Sequence, residues 1–514
     1  MAPEFIPEPK DAKYRTVIIL LDGTGDRDDK DATNIVKLWK MLYNSKEYPG
    51  NNDVQLVSYW VNQTVKPWNA GSPPPNQEGI GADIAKDFTG LAQYGWNKAK
   101  NTVDKAVATS FPNHIIQVYT WLAKNYQDND KICIFGFSRG AYSARALAGM
   151  LNAMGLLRVS DPVVAKAAYE LYEKSNSLPA NSTPDWLALL SEWEIFRTEN
   201  NVKKPFIEFL GCWDSVNSVG MVDNIKLAYT ANNSIVHTFR HAVALDERRA
   251  KFKQYMWGPK KPAVAANAQP HGDNGPSVAT HVEEVWFAGC HCDVGGGSVL
   301  NGTRPNLANI PLRWMIRECF KAGTGMVFSA TELTELGIEP SHLYPDVHPR
   351  LDVDAVTRGS QTIRAIEAPG WVPWAKSALT SMPKTPQEPT VPPMSEEERD
   401  ACDALAPLYD QLVLKSWMWQ AMESFLTNES VYDAATNTFK NVCHQHRSAG
   451  RAIPPAESTY GSKIKVHRTV QMRMQATYEN GPDKGNQYIP KARLGWKKEV
   501  AFDQIRPDLI EWVS

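Results

Sequence analysis

KICIFGFSRGAYSARALAGM, residues 131–150, joins a short apolar run to a small-residue stretch through a glycine-bounded serine. Residues 131–135 are rich in Ile, Cys and Phe, the composition of a buried strand. From Ala141 to Leu151, Ala and Leu recur at a spacing that favours a helix. Between them, Gly136-Phe137-Ser138-Arg139-Gly140 is a G-x-S-x-G, the pattern of a nucleophile elbow. Such a turn is so tight that only glycine avoids a clash at the flanks, and its strain lifts the serine Oγ clear of the backbone. The serine then stands at the start of a helix, whose free N–H groups and dipole favour a developing negative charge. An ordinary βα turn with Ser138 as a helix cap would share the pattern. Partners for the serine must therefore come from elsewhere in the chain.

Upstream, residues 114–126 carry Ile115, Ile116, Tyr119, Leu122 and Ala123 on one helical face and lead into the strand. RTVIILL (15–21) is a continuous apolar run and reads as a parallel strand covered on both faces, ending in Asp22-Gly23-Thr24-Gly25. Residues 34–43 have helical spacing, 53–61 read as a strand, and 66–81 are a Pro/Gly/Asn loop. Downstream come two helices (164–173 and 185–196), a strand (206–212) ending in Trp213-Asp214, and a predicted helix over 234–255. The last of these carries the charged patch Asp246-Glu247-Arg248-Arg249, which reads as a salt-bridged helix face. A loop (259–279), a strand (282–288) and a helix (311–322) follow. Strands alternating with helices predict an α/β fold: a mostly parallel sheet with helices on both faces.

The expected organisation is a flexible lead (1–13), a core (14–330) with a helical insertion at about 158–200, and a C-terminal extension (331–514) packing on the core. That extension is expected to be mostly helical, with a proline-rich loop at 376–394, an acidic helix start at Ser395, a helix over 408–426 and a β-like stretch over 463–474.

Composition narrows the function. A chain of 514 residues with 43% hydrophobic content, 17 Trp, 18 Tyr and 16 Phe can bury a large core. A formal net charge of −2, without blocks of like charge, argues against a nucleic-acid surface. No apolar run approaches the span of a bilayer, and the polar, proline-containing N-terminus does not read as a secretory signal. Seven cysteines without C-x-x-C spacing fit reduced thiols, so a cytoplasmic location is expected. Cys290 and Cys292 share one strand face that His291 does not, which discounts zinc.

In a parallel sheet, functional groups collect beyond the carboxyl ends of the strands. Four such ends carry polar residues: Asp22-Gly23-Thr24, Ser138, Asp214, and His291 with Asp293. Ser138, Asp214, His291 is the chain order of an α/β-hydrolase triad. Ser138 needs a base to become a nucleophile, His291 can take and return the proton near neutral pH, and Asp214 would hold the imidazole tautomer. The N–H of Arg139 and one from the Gly23-Thr24 turn would form the oxyanion hole. His241 and His467 compete as bases, and Asp22 and Asp293 as acids.

LLDGTGD with Asn34, GFSRGAYSARALAGML, FLGCWDSVNSVG, RHAVALDERR, FAGCHCDVGGGS and IPLRWM together resemble the Tle-type catalytic domain family, named for type VI secretion phospholipase effectors. The similarity runs over roughly residues 14–325, and the chain looks most like stand-alone fungal members. The resemblance implies an α/β-hydrolase fold, a Ser-Asp-His triad and phospholipase-type chemistry. It carries the nucleophile to Ser138 and the acid to Asp214. His241 and His291 both lie in family-like motifs, and chain order favours His291. Gly25-Asp26 departs from the usual DGTxN, and Cys292 stands where Ser is common.

The expectation is a serine esterase or lipase acting on small-molecule or lipid esters, without cofactor or metal, and with peripheral membrane contact. The alternatives are a metal-dependent phosphohydrolase using Asp22, Asp214 and Asp293, or a non-catalytic binding member of the family.

Overall fold

The computed structural model describes residues 4–23, 31–44, 53–61, 96–178, 183–216, 227–258, 279–350, 361–365, 394–414, 426–433, 438–445, 448–454, 463–495 and 500–514. Its centre is an eight-stranded sheet. The apolar runs supply β1 (Thr16–Asp22), β2 (Gln55–Val61), β3 (Lys131–Phe137) and β4 (Ile207–Trp213). The others are β5 (Val236–Ala244), β6 (His281–Phe287), β7 (Ile464–His467) and β8 (Ile510–Val513). The order is β8-β7-β6-β5-β4-β3-β1-β2, with every neighbouring pair parallel. This is the α/β, hydrolase-like sheet that the strand–helix alternation predicts.

Alternate residues along each strand face opposite layers, so both must be apolar. Val17, Ile19 and Leu21 pack with α2 (Trp96–Asn125), α3 (Arg139–Met154), α4 (Pro162–Glu173) and α5 (Thr183–Glu199). Ile18 and Leu20 pack in a second cluster with α1 (Asn34–Met41), α7 (Asn309–Lys321), α8 (Glu396–Ala404) and α9 (Arg468–Gln475). The short α6 (His291–Gly295) follows β6. Helix starts follow local chemistry. Thr33 caps α1 through Val36 N–H, Asp161 caps α4, and Ser395 with Glu398 forms a capping box on α8.

After β1 the chain adds β2 on one side, then crosses to β3 on the other. The carboxyl ends of β1 and β3 therefore flank a switch point, where α/β sheets place their ligands. Asp22 ends one strand and Ser138 follows the other.

Four expectations change. Residues 236–244 are the central strand β5, not part of a helix: buried on both faces, its apolar spacing cannot be told from a buried helix. Of the lead expected to be flexible, Phe5–Ile6 pairs antiparallel with Phe328–Ser329 and is buried. The β-like stretch over 463–474 is strand only to His467, whose side chain then caps α9. Finally, β7 and β8 extend the sheet itself, so the C-terminal segment builds one of its edges as well as packing on it. The loop expected at 66–81, all but the last residue of that at 259–279, most of the proline-rich loop, and Trp417 and Trp419 lie outside the described residues.

Candidate active site

The elbow is built by backbone contact. A Cβ on Gly136 would lie 2.5 Å from the carbonyl oxygen of Gly140, and one on Gly140 would lie 2.2 Å from that of Leu21. Ser138 takes φ 60°, ψ −125°, a conformation that non-glycine residues rarely adopt. Its N–H donates to the Trp213 carbonyl at 3.1 Å, and Asp214 N–H donates to that of Ala242 at 2.7 Å. The ladder thus continues past the strand ends and fixes the turns after β3 and β4 against the last residues of β4 and β5.

His291, the first residue of α6, reaches both of its expected partners. Its Nε2 lies 2.8 Å from Ser138 Oγ and its Nδ1 lies 2.6 Å from Asp214 Oδ2. All three residues are buried, at 6%, 0% and 3% exposure for Ser138, Asp214 and His291. An ionised carboxylate can only accept, so Nδ1 carries the proton and Nε2 offers its lone pair to the serine hydroxyl. Phe137 and Phe252 flank the imidazole, with centroids 4.7 Å and 4.9 Å away.

The electrostatics suit that assignment. Burial would raise the pKa of Asp214, but the Arg451 guanidinium and the His291 hydrogen bond outweigh it and hold the carboxyl well below the usual range. Burial lowers the pKa of His291, and the hydrogen bond and charge of Asp214 offset this only in part. The imidazole is therefore neutral near pH 7, the form a general base requires.

The competing residues are engaged elsewhere. His241 Nε2 accepts Ser215 N–H at 3.0 Å and its Nδ1 faces Glu284 Oε1 at 2.9 Å, so it braces the Asp214 turn from below. His467 is held by Thr469 at 2.8 Å, stacks on Phe287, and burial pushes its pKa down to about 3. Asp22 accepts Thr33 and Tyr59 hydroxyls at 2.8 Å each and Gly23 N–H at 2.7 Å; burial raises its pKa to about 6. Asp293 caps α6 through Cys290 N–H and also receives Tyr409 N–H; burial raises its pKa to about 7. Asp22, Asp214 and Asp293 are thus each taken up by protein donors. Among the described residues, no group of three His, Cys, Asp or Glu converges as a metal site would need.

Of the expected oxyanion donors, Arg139 N–H opens α3 directly after Ser138. Gly23 N–H is committed to Asp22, and Thr24 lies outside the described residues.

The charged patch at 246–249 is no exposed helix face. Glu247 is buried, pairs in two places with Arg249 (2.9 Å and 2.8 Å) and accepts His291 N–H at 3.2 Å. Burial alone would raise the pKa of Glu247, but Arg249 brings it down to about 2. Asp246 accepts Gly289 N–H at 2.7 Å and so fixes the turn that delivers His291. Arg451, which carries no motif, escapes a reading of the sequence. Its Nη1 and Nη2 reach Asp214 Oδ1 and Oδ2 at 2.5 Å and 2.9 Å.

Several known proteins are similar to this chain. The uncharacterized protein YEL023C of Saccharomyces cerevisiae is 32% identical over 254 residues, which is 49% of this chain and 34% of the yeast protein. The chain therefore spans about a third of that relative's length. A crystal structure of an uncharacterized protein from Pseudomonas aeruginosa aligns with TM-score 0.32 at 19% identity, over 62% of this chain and 47% of that one. The Tle1 effector bound to the VgrG spike of the type 6 secretion system aligns with TM-score 0.28 at 16% identity, over 56% and 52%. Residues 15–318 match the family described as T6SS, phospholipase effector Tle1-like, catalytic domain, and the chain belongs to that family.

Proposed function

We propose that this protein is a serine hydrolase that cleaves carboxylic esters, with lipid acyl esters as its substrate class, through an acyl-enzyme on Ser138. The observation that carries this reading is the unbroken hydrogen-bonded run from Ser138 Oγ through His291 to Asp214. His291 Nε2 takes the hydroxyl proton as Oγ attacks the ester carbonyl carbon. The oxyanion of the tetrahedral intermediate forms at the start of α3, beside Arg139 N–H. As the intermediate collapses, the proton passes from Nε2 to the leaving alkoxide, and the acyl group stays on Oγ. Water, deprotonated by the same nitrogen, then releases the carboxylic acid and restores the serine. Asp214 holds the tautomer and offsets the imidazolium charge throughout.

Membership in a family named for phospholipase effectors supports lipid esters, reached by peripheral contact with a membrane. Among the described residues no helix is long and apolar enough to cross one. Among the described residues, Cys133, Cys212, Cys290, Cys319 and Cys402 form no disulfide, which supports a reducing, cytoplasmic setting. A fluorophosphonate probe should label Ser138 in the wild-type protein, and Ser138→Ala should lose both labelling and ester hydrolysis. Ester hydrolysis that survives in Ser138→Ala overturns the proposal.

A further inference from the structure

Asp214 is fully buried, and a carboxylate there needs more than one imidazole N–H to remain ionised. Its Oδ1 accepts Ala244 N–H at 2.9 Å and Arg451 Nη1 at 2.5 Å. Its Oδ2 accepts both His291 Nδ1 at 2.6 Å and Arg451 Nη2 at 2.9 Å. Arg451 and His291 therefore share one oxygen atom.

The arginine is held from behind. Its Nε donates to the Phe252 carbonyl at 3.0 Å and its Nη1 to that of Ala244 at 3.2 Å. Its own carbonyl accepts Arg493 N–H at 2.9 Å. A Cβ on the preceding Gly450 would lie 1.7 Å from the Lys491 carbonyl oxygen, so the chain approaches there as closely as glycine permits.

The charges around His291 then add up simply. Glu247 and Arg249, facing it from the turn after β5, cancel each other. Asp293 on α6 caps that helix, and burial, which raises its pKa to about 7, leaves it mostly uncharged on the acid side of neutrality. Asp214 and Arg451 cancel as well, so a neutral imidazole leaves the buried group balanced and an imidazolium leaves it one positive charge in excess. Without Arg451 the balance reverses, and a buried Asp214 carboxylate favours a protonated partner.

We propose that Arg451 is a positioning residue for the reaction: its forked guanidinium orients Asp214 and keeps His291 in the neutral form that accepts the Ser138 proton. This rests on the triad proposed above. It also gives the segment beyond the family-matched region, residues 15–318, a direct part in the chemistry.

The test follows the rate of fluorophosphonate labelling of Ser138 against pH in wild type, Arg451→Gln and Arg451→Lys, with the melting temperature of each. Arg451→Gln should move the acidic limb upward by about 1 pH unit or more. Arg451→Lys keeps the charge and loses the fork, so its limb should stay within about half a unit of wild type while the rate falls about tenfold. A limb that does not move in folded Arg451→Gln, or that moves equally far in Arg451→Lys, overturns the proposal for Arg451 alone. Failure of both variants to fold marks a purely structural residue and also overturns it. Wild-type protein left unlabelled at Ser138 overturns the triad, and the role of Arg451 with it.

Discussion

The carbonyl oxygen of Leu21 stands 2.2 Å from where a Cβ on Gly140 would have to be, so the last turn of β1 and the first turn of α3 meet backbone to backbone. The contact holds the elbow against the strand that ends in Asp22.

Gly140→Ala cannot be absorbed by a side-chain shift, because the obstacle is backbone on both sides. The two elements must part, and the strained Ser138 loses its support. We expect a loss of about 2–3 kcal/mol in urea denaturation, and labelling of Ser138 reduced at least as much as overall stability. Unchanged labelling and midpoint would show that the turn can give.

Asp214→Asn keeps the shape of the acid but removes its charge. The amide can present its N–H to His291 Nδ1 and invert the tautomer, and it leaves Arg451 buried without its counter-charge. The turnover number for a short chromogenic ester should fall about 10⁴-fold with little change in KM. A fall of less than about tenfold would place the acid elsewhere.

The pH dependence has a definite sign. Under the proposed mechanism hydrolysis needs neutral His291, and burial has lowered its pKa below the ordinary value of about 6.5. Activity should therefore rise with pH through a limb below that value and already be at its plateau at pH 7. A limb above pH 7 in kcat/KM would contradict the buried, compensated site.

Away from the site, Arg313 joins Asp400 and Asp403 at 2.7 Å and 2.6 Å, all three buried, and ties α8 to α7. Arg313→Met removes the cation and leaves buried Asp403 without its guanidinium, while Asp400 keeps Arg350 at 2.5 Å. The expected cost is about 3–5 kcal/mol, read as a lower urea midpoint, with ester hydrolysis retained in the absence of denaturant.

The parts legible in the sequence are those with local rules. Gly136 and Gly140 announce the elbow because backbone must pass there. Asp214 follows the apolar run ending at Trp213, His291 follows a strand apolar only over Val285–Phe287, and their order along the chain matches their meeting in space. Residues 236–244 read as helix because a strand buried on both faces has no polar alternation to reveal it. Glu247 and Arg249 looked like surface charges because sequence does not distinguish a solvated pair from one buried behind an imidazole. Arg451 had no local mark at all: it is one arginine among many, placed by a Gly450–Lys491 contact that no spacing encodes.

The edge of the sheet carries a consequence for how this protein is made. β6 leaves the ribosome long before β7 and β8, yet β7 is its hydrogen-bonding neighbour through Val285 and Trp286. In the interval β6 presents open N–H and C=O groups, a template for pairing with other chains. The nascent protein must protect that edge, by its own transient cover or a chaperone's, until its last strands arrive. Arg451 is synthesised shortly before β7, so the counter-charge of Asp214 and the strands that extend this edge come from the same late-made segment.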